Sequence, residues 1–139
     1  MAHRKQLDRL LRVRTLQLGM TRAAEAQAQD KRASEADLAH RIARLAENVA
    51  PAPTGGNGFA LVAAAHFRSR LQQSAEMAEA RLIEADRAAD RAAEATREAR
   101  RDQSAIEKLM ARADAEAVLK AIRALEVAPP LRKIRHDPC

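Results

Sequence analysis

The sequence contains no tryptophan and no tyrosine, and its only aromatic side chains are those of Phe59 and Phe67. Aromatic and branched aliphatic side chains supply most of the area that a globular core buries. Hydrophobic residues still make up 47% of the 139 residues, but most of them are alanine. Alanine buries little area, has the highest helix propensity and lets helices approach closely. With 32% charged residues, this composition favours long coiled-coil helices over a globule, with disorder as the alternative.

Cysteine is almost absent, since Cys139 is the only one. This excludes a disulfide framework and a cysteine-based metal site within the chain, and it favours a reduced, cytoplasmic setting. No apolar run approaches the ~20 residues that span a bilayer, and the start of the chain lacks the apolar stretch of a secretory signal. An Arg-rich, acid-poor start is also typical of a mitochondrial presequence, but here it continues into a helical pattern without a break.

Catalytic and metal-binding patterns are also missing. The four histidines are scattered without ligand spacing, and the glycines near residue 56 lack the strand and the Lys-Ser/Thr of a phosphate loop. Carboxylates are abundant, but the helical pattern offers no pocket that would shift their pKa values. We therefore expect no enzymatic activity, no cofactor and no metal.

One strong interruption divides the chain. Residues 51–58 contain two prolines and three glycines, which cannot continue a helix. We predict a first helix at about 7–49, a turn at 50–58 and a second helix at about 59–127, followed by a basic tail at 128–139. Two long helices joined by a short turn should fold back on each other. The predicted fold is all-α, a long antiparallel two-helix coiled-coil hairpin with unequal helices.

The second helix carries a sustained heptad repeat. Positions taken alternately four and three residues apart from Leu71 to Ala117 are apolar in twelve of fourteen cases, against 22 of the 47 residues in that stretch. Such a repeat is the signature of a coiled-coil seam. On the first helix, large apolar residues cluster at both ends, and residues 23–36 offer only alanine among polar residues.

The two predicted helices differ in length. At ~1.5 Å per residue the second outruns the first by roughly 35–40 Å. We expect this excess at the open end of the hairpin, where residues 106–125 would lack a full-length partner. Exposed apolar surface of that kind usually marks a protein contact. Residues 1–22 add six basic side chains against Asp8, so the positive charge concentrates at the same end.

The layout resembles the FliJ family, the small coiled-coil proteins of the bacterial flagellar type III export apparatus, and their YscO-like counterparts in virulence secretion. The resemblance covers nearly the whole chain. It rests on the length, the shorter first helix, the basic leucine-rich start LDRLLRVRTLQL at residues 7–18 and the segment IEKLMAR at residues 106–112.

The resemblance implies a cytoplasmic, monomeric hairpin whose open end enters an export ATPase ring, as the central stalk of a rotary ATPase does. It also implies binding of export chaperones and of the cytoplasmic part of the membrane export gate, which would hold the protein at the inner membrane peripherally. The ring contacts we expect are Arg4, Arg9, Arg12, Arg14, Ile106, Met110, Leu119 and Ile122.

The gate contact that the resemblance implies lies near the hinge. The spacing of the family's cluster appears at Leu38, Ile42, Leu45 and Val49 on the first helix, and at Phe67, Leu71, Ser74 and Ala78 on the second. Leu38, Ile42, Leu45, Leu71 and Ala78 also suit the seam of the hairpin itself, which is the interpretation we favour for them. Phe67 lies off the seam register and is the better candidate for an outward contact.

Two functions therefore remain open. The leading hypothesis is a component of the flagellar export apparatus that couples the ATPase ring to the gate and escorts chaperones, with no nucleic acid expected. The alternative is a coiled-coil scaffold that binds nucleic acid or anionic membrane through its basic open end.

Overall fold

A computed structural model of the protein describes residues 2–49 and 58–129. It consists of two helices, α1 at Ala2–Asn48 and α2 at Gly58–Val127, and the described residues contain no strand. The predicted all-α hairpin of two unequal helices is confirmed. The predicted turn, residues 50–58, lies outside the described part of the chain except for Gly58, with which α2 begins. Most of the predicted basic tail, residues 130–139, also lies outside the described part.

The buried positions of α2 are alanines. Ala78, Ala85 and Ala89 are the α2 residues that the hairpin buries, and Ala78 and Ala89 are only 0% and 1% exposed. All three belong to the heptad positions that run from Leu71 to Ala117. The predicted seam is therefore the face that α2 packs against α1.

The seam of α1 is continuous, although the sequence pattern is weak in its middle. Nearly all its residues at alternating four- and three-residue steps are buried or half-buried. They are Leu7, Leu11, Arg14, Leu18, Thr21, Glu25, Ala28, Arg32, Glu35, Ala39, Ile42, Ala46 and Val49, of which only Arg32 is exposed. Among these seam residues only Leu7 and Leu18 are large side chains that become buried, at 5% and 4% exposed. Small or polar residues therefore fill most of the space between the helices.

Polar seam residues of α1 reach charged partners on α2. Arg14 pairs with Asp102 at 2.9 Å and Arg32 with Asp86 at 2.5 Å. The Asp86 oxygen that faces Arg32 is itself buried. Because these side chains stay partly exposed, each pair contributes at most about 1 kcal/mol. Their main effect is to select which residues face each other.

The ion pairs fix the register of the two helices. The pairs join residues 4 and 114, 14 and 102, 32 and 86, and 35 and 81. The two residue numbers of each pair add up to 116 or 118, which means that the antiparallel helices keep one register along their length. With this register, residues 58–67 of α2 lie beyond the end of α1 at the hinge, and residues 116–127 lie beyond its start. We call these segments the hinge-end and the open-end overhang; they are roughly 15 Å and 18 Å long.

The close alanine contact yields a first prediction. Ala89→Leu inserts a large side chain at a fully buried seam position, and overpacking of this kind costs about 1–3 kcal/mol. Ala80→Leu makes the same change at an exposed position of α2, where we expect no more than about 0.5 kcal/mol. Thermal melting followed by circular dichroism should show a clearly lower melting temperature for Ala89→Leu alone. Equal melting of the two variants would contradict the seam assignment.

Candidate partner-binding surfaces

The open-end overhang is a single helix with large apolar side chains on its surface. Val118, Leu119, Ile122 and Leu125 are all exposed there. Val118, Ile122 and Leu125 are spaced four and three residues apart, but Val118 and Leu125 lie one position after the seam positions Ala117 and Ala124, and Ile122 lies two positions after the seam position Lys120. The apolar stripe of this overhang is therefore rotated away from the direction in which α1 lies.

The free part of α2 at this end is shorter than the sequence suggests. The expectation that residues 106–125 lack a full-length partner holds for residues 116–125 but is wrong for residues 106–114, because α1 begins at Ala2 and covers α2 up to Asp114. Ile106 and Met110, both expected in the ring contact, are half-buried opposite the first turns of α1. Part of the length difference lies instead at the hinge, where α2 begins about ten residues beyond α1.

The four predicted arginines of the open end have different surroundings. Arg4 pairs with Asp114 at 2.5 Å, and Arg14 pairs with Asp102 and donates a hydrogen bond to Gln17. Within residues 2–49 and 58–129, no ion pair involves Arg9 or Arg12. Their charge is therefore available to an acidic partner, whereas that of Arg4 and Arg14 is used within the hairpin.

The predicted gate cluster at the hinge separates into two groups. Ile42, Val49 and Leu71 are half-buried in the seam, and Ala78 is buried there, as favoured. Leu38 and Leu45 are exposed, with Leu45 at 54%, so the interpretation of these two as seam residues is wrong. The reason is a shift of one position, because the seam passes through Ala39 and Ala46 instead.

Phe67 lies at the base of the hinge-end overhang and is exposed, as its position off the seam register predicts. One residue later, Arg68 occupies the seam position that precedes Leu71, so the apolar seam stops where α1 ends. Leu61 and Val62 are also exposed on this overhang. The heptad spacing gives no signal for these two residues, and the one sequence feature that marks them is that residues 58–65 form a helical run without any charge.

A group of charges lies on the outer face of α2, midway along the hairpin. Arg101 and Arg97 both donate hydrogen bonds to Glu94, at 3.1 and 3.0 Å, and they hold the pKa of that carboxyl below its usual value. A lowered pKa stabilises the folded state above the ordinary glutamate pKa, and this contribution is lost as the pH falls. Because Glu94 is fully exposed, the group is a solvated helix surface.

Neither a metal site nor a membrane-spanning helix is found in the described part of the chain. There, no three or more side chains of histidine, cysteine, aspartate and glutamate converge on a position that would suit a metal ion. Likewise, neither α1 nor α2 contains an apolar stretch long enough to cross a bilayer.

Comparison with known proteins gives no relative. No protein-family model matches the chain, and no curated protein and no solved structure matches it either.

The overhangs lead to a second prediction. Backbone amides in residues 60–67 and 116–127 should exchange hydrogen much faster than those in residues 75–110, because opening a helix segment that lies beyond α1 breaks no seam contact. Hydrogen exchange measured with peptide or residue resolution checks this directly. Equally strong protection of residues 116–127 and 75–110 in the isolated protein would contradict the helix register that the ion pairs between α1 and α2 indicate.

Proposed function

We propose that the protein is a coupling component of the bacterial flagellar type III export apparatus, which links the export ATPase ring to the export gate and escorts export chaperones. One observation carries the proposal. At each end of the hairpin α2 continues beyond α1, and both overhangs present large apolar side chains. Two separate contact surfaces at opposite ends are what a link between two assemblies requires.

The open end is suited to a narrow opening. A lone helix is ~10–12 Å across with its side chains, whereas two packed helices are about twice as wide in one direction. The open-end overhang can therefore enter a central channel that stops the two-helix body. Leu119 and Ile122 lie on the segment that would enter the channel. Arg9 and Arg12 would lie near the rim of the channel, and neither forms an ion pair within the described residues. Ile106 and Met110 support this contact from within the seam rather than by touching the ring.

The hinge end offers a contact of a different shape. Leu38 and Leu45 on α1 and Phe67 on α2 are exposed near the end of α1. Ile42, Val49 and Leu71 lie beneath them in the seam and fix their positions. We therefore assign the direct gate contact to Leu38, Leu45 and Phe67, in which both helices take part. Such a surface exists only while the hairpin is paired.

The assignment of the ATPase contact to the open end and of the gate contact to the hinge end yields a third prediction. Leu119→Gln/Ile122→Gln should weaken binding to the purified export ATPase by roughly ten-fold or more, since each buried large side chain contributes about 1.5–3 kcal/mol. Leu45→Gln/Phe67→Gln should weaken binding to the cytoplasmic part of the export gate by a similar factor. Glutamine preserves helix propensity, so both variants should keep their circular dichroism spectra. Biolayer interferometry with each immobilised partner measures the affinities.

Each double variant serves as the control for the other. The open-end variant should bind the gate like the unaltered protein, and the hinge variant should bind the ATPase like the unaltered protein. If the unaltered protein binds neither partner at micromolar concentration, the proposed function is wrong. If both variants lose both partners, the two-ended arrangement is wrong.

A second candidate function is binding to nucleic acid or anionic membrane through the basic start of α1. The observation that favours it is that Lys5, Arg9, Arg12 and Arg22 make no ion pair within the described residues. No aromatic side chains lie among them to stack on bases, so such binding would be mainly electrostatic.

Salt separates the two candidates and gives a fourth prediction. Four phosphate contacts would weaken binding on the order of 10²-fold between 50 and 200 mM salt. Docking of apolar side chains into an ATPase ring should change far less over that range. Affinities for duplex DNA, for phosphatidylserine vesicles and for the ATPase, measured at several salt concentrations, test this. Tight, salt-sensitive binding to DNA or vesicles without ATPase binding would favour the second candidate.

A further inference from the structure

The face of α1 that points away from α2 carries an apolar stripe near its start. Val13, Leu16 and Met20 are 50%, 69% and 74% exposed. They are spaced three and four residues apart, so they lie in one row along the helix. None of them belongs to the seam, which passes through Leu11, Arg14, Leu18 and Thr21. The stripe therefore contributes nothing to the pairing of the two helices.

The surroundings of this stripe are basic. Lys5, Arg9 and Arg12 lie on the same outer face of α1, and no acidic residue shares that face before Asp30. Asp8, the only acidic residue in this part of α1, is half-buried on the side facing α2. A groove beside the stripe is lined by Leu11, Arg12, Thr15 and Leu16. An apolar row with a groove and flanking cations is thus open on the surface.

The spacing of the stripe and its flanking charges select the kind of partner. At 3.6 residues per turn, Val13, Leu16 and Met20 span an arc of about 60°, and Leu10, which is 46% exposed between this row and the seam, extends the apolar surface toward α2. A row at heptad spacing is the kind of seam that a further helix packs against, with flanking charges choosing the partner. Because the flanking charges are cations, the matching helix carries acidic residues beside its apolar row.

We propose that the outer face of α1 around Val13, Leu16 and Met20 is a docking site for an acidic amphipathic helix of another protein, which adds a third helix to the hairpin. This site lies on neither overhang, so it is separate from the apolar contacts proposed at the two ends, although Arg9 and Arg12 lie beside both the stripe and the proposed ring contact. The third helix would lie alongside the hairpin rather than at its ends. Its binding should be saturable and should weaken as salt rises, because the flanking cations contribute to it.

The probe is a synthetic peptide of about three heptads with leucine at the seam positions and glutamate at the flanking positions. The glutamates keep copies of the peptide from pairing with each other. The full-length protein should bind it, and a peptide with lysine in place of glutamate should bind roughly ten-fold more weakly or not at all. Fluorescence anisotropy of labelled peptides measures both affinities.

Two variants locate the site. Leu16→Glu/Met20→Glu should weaken binding of the acidic peptide by roughly ten-fold or more. Gln27→Glu/Ser34→Glu adds the same charge at exposed positions of α1 further from the stripe, and its affinity should stay within about two-fold of the unaltered protein. Because all four positions are exposed, both variants should fold, which circular dichroism verifies.

Several outcomes would overturn the proposal. One is failure of the unaltered protein to bind the acidic peptide, and another is equal binding of the acidic and the basic peptides. If phosphatidylserine vesicles bind through Leu16 and Met20 while the peptide does not, the face is a membrane contact. If sedimentation shows a dimer that Leu16→Glu/Met20→Glu dissociates, the occupant is a second copy of the chain. Neither result bears on ATPase or gate binding by the overhangs, so the proposed function is tested separately.

Discussion

The structure depends on one contact, the pairing of α1 with the alanine face of α2. Ala78, Ala85 and Ala89 leave little room between the helix backbones, and they bury little area themselves. Such a seam is stabilised by its length rather than by a few large contacts. The small side chains of α2 also allow polar residues of α1 to occupy seam positions, because Arg32 and Glu35 can reach past them to Asp86 and Arg81.

These charged contacts determine which residues of α2 extend beyond α1 at each end of the hairpin. A heptad repeat permits sliding by seven residues, after which every seam residue again faces a seam position. Such a shift would separate Arg14 from Asp102 and Arg4 from Asp114, and it would lengthen one overhang by about seven residues at the expense of the other. Weak ion pairs thus contribute little to stability, yet they decide how much of α2 is free at each end.

The helices and the seam of α2 could be predicted because proline, glycine and heptad spacing are local signals. The seam of α1 could not, since Glu25 and Arg32 qualify as seam residues only when alanines and an aspartate face them. The same limit explains why the seam prediction for Leu38 and Leu45 is wrong. Their spacing with Ile42 is compatible with a seam, but the register places Ala39 and Ala46 there. The overhang at the hinge depends on the register as well, and a single chain's periodicity leaves that register open.

The distribution of large apolar residues separates folding from recognition in this chain. Within residues 2–49 and 58–129 the hairpin buries only two of them, Leu7 and Leu18, and leaves leucine, valine, phenylalanine and methionine exposed at both ends and along α1. Two helices share only one seam, so a second apolar row on either helix cannot be buried by the hairpin itself. The exposed large side chains of the open-end overhang and of the outer face of α1 lie off the seam, so the pairing of the two helices does not depend on them. Their positions are therefore best explained by partners.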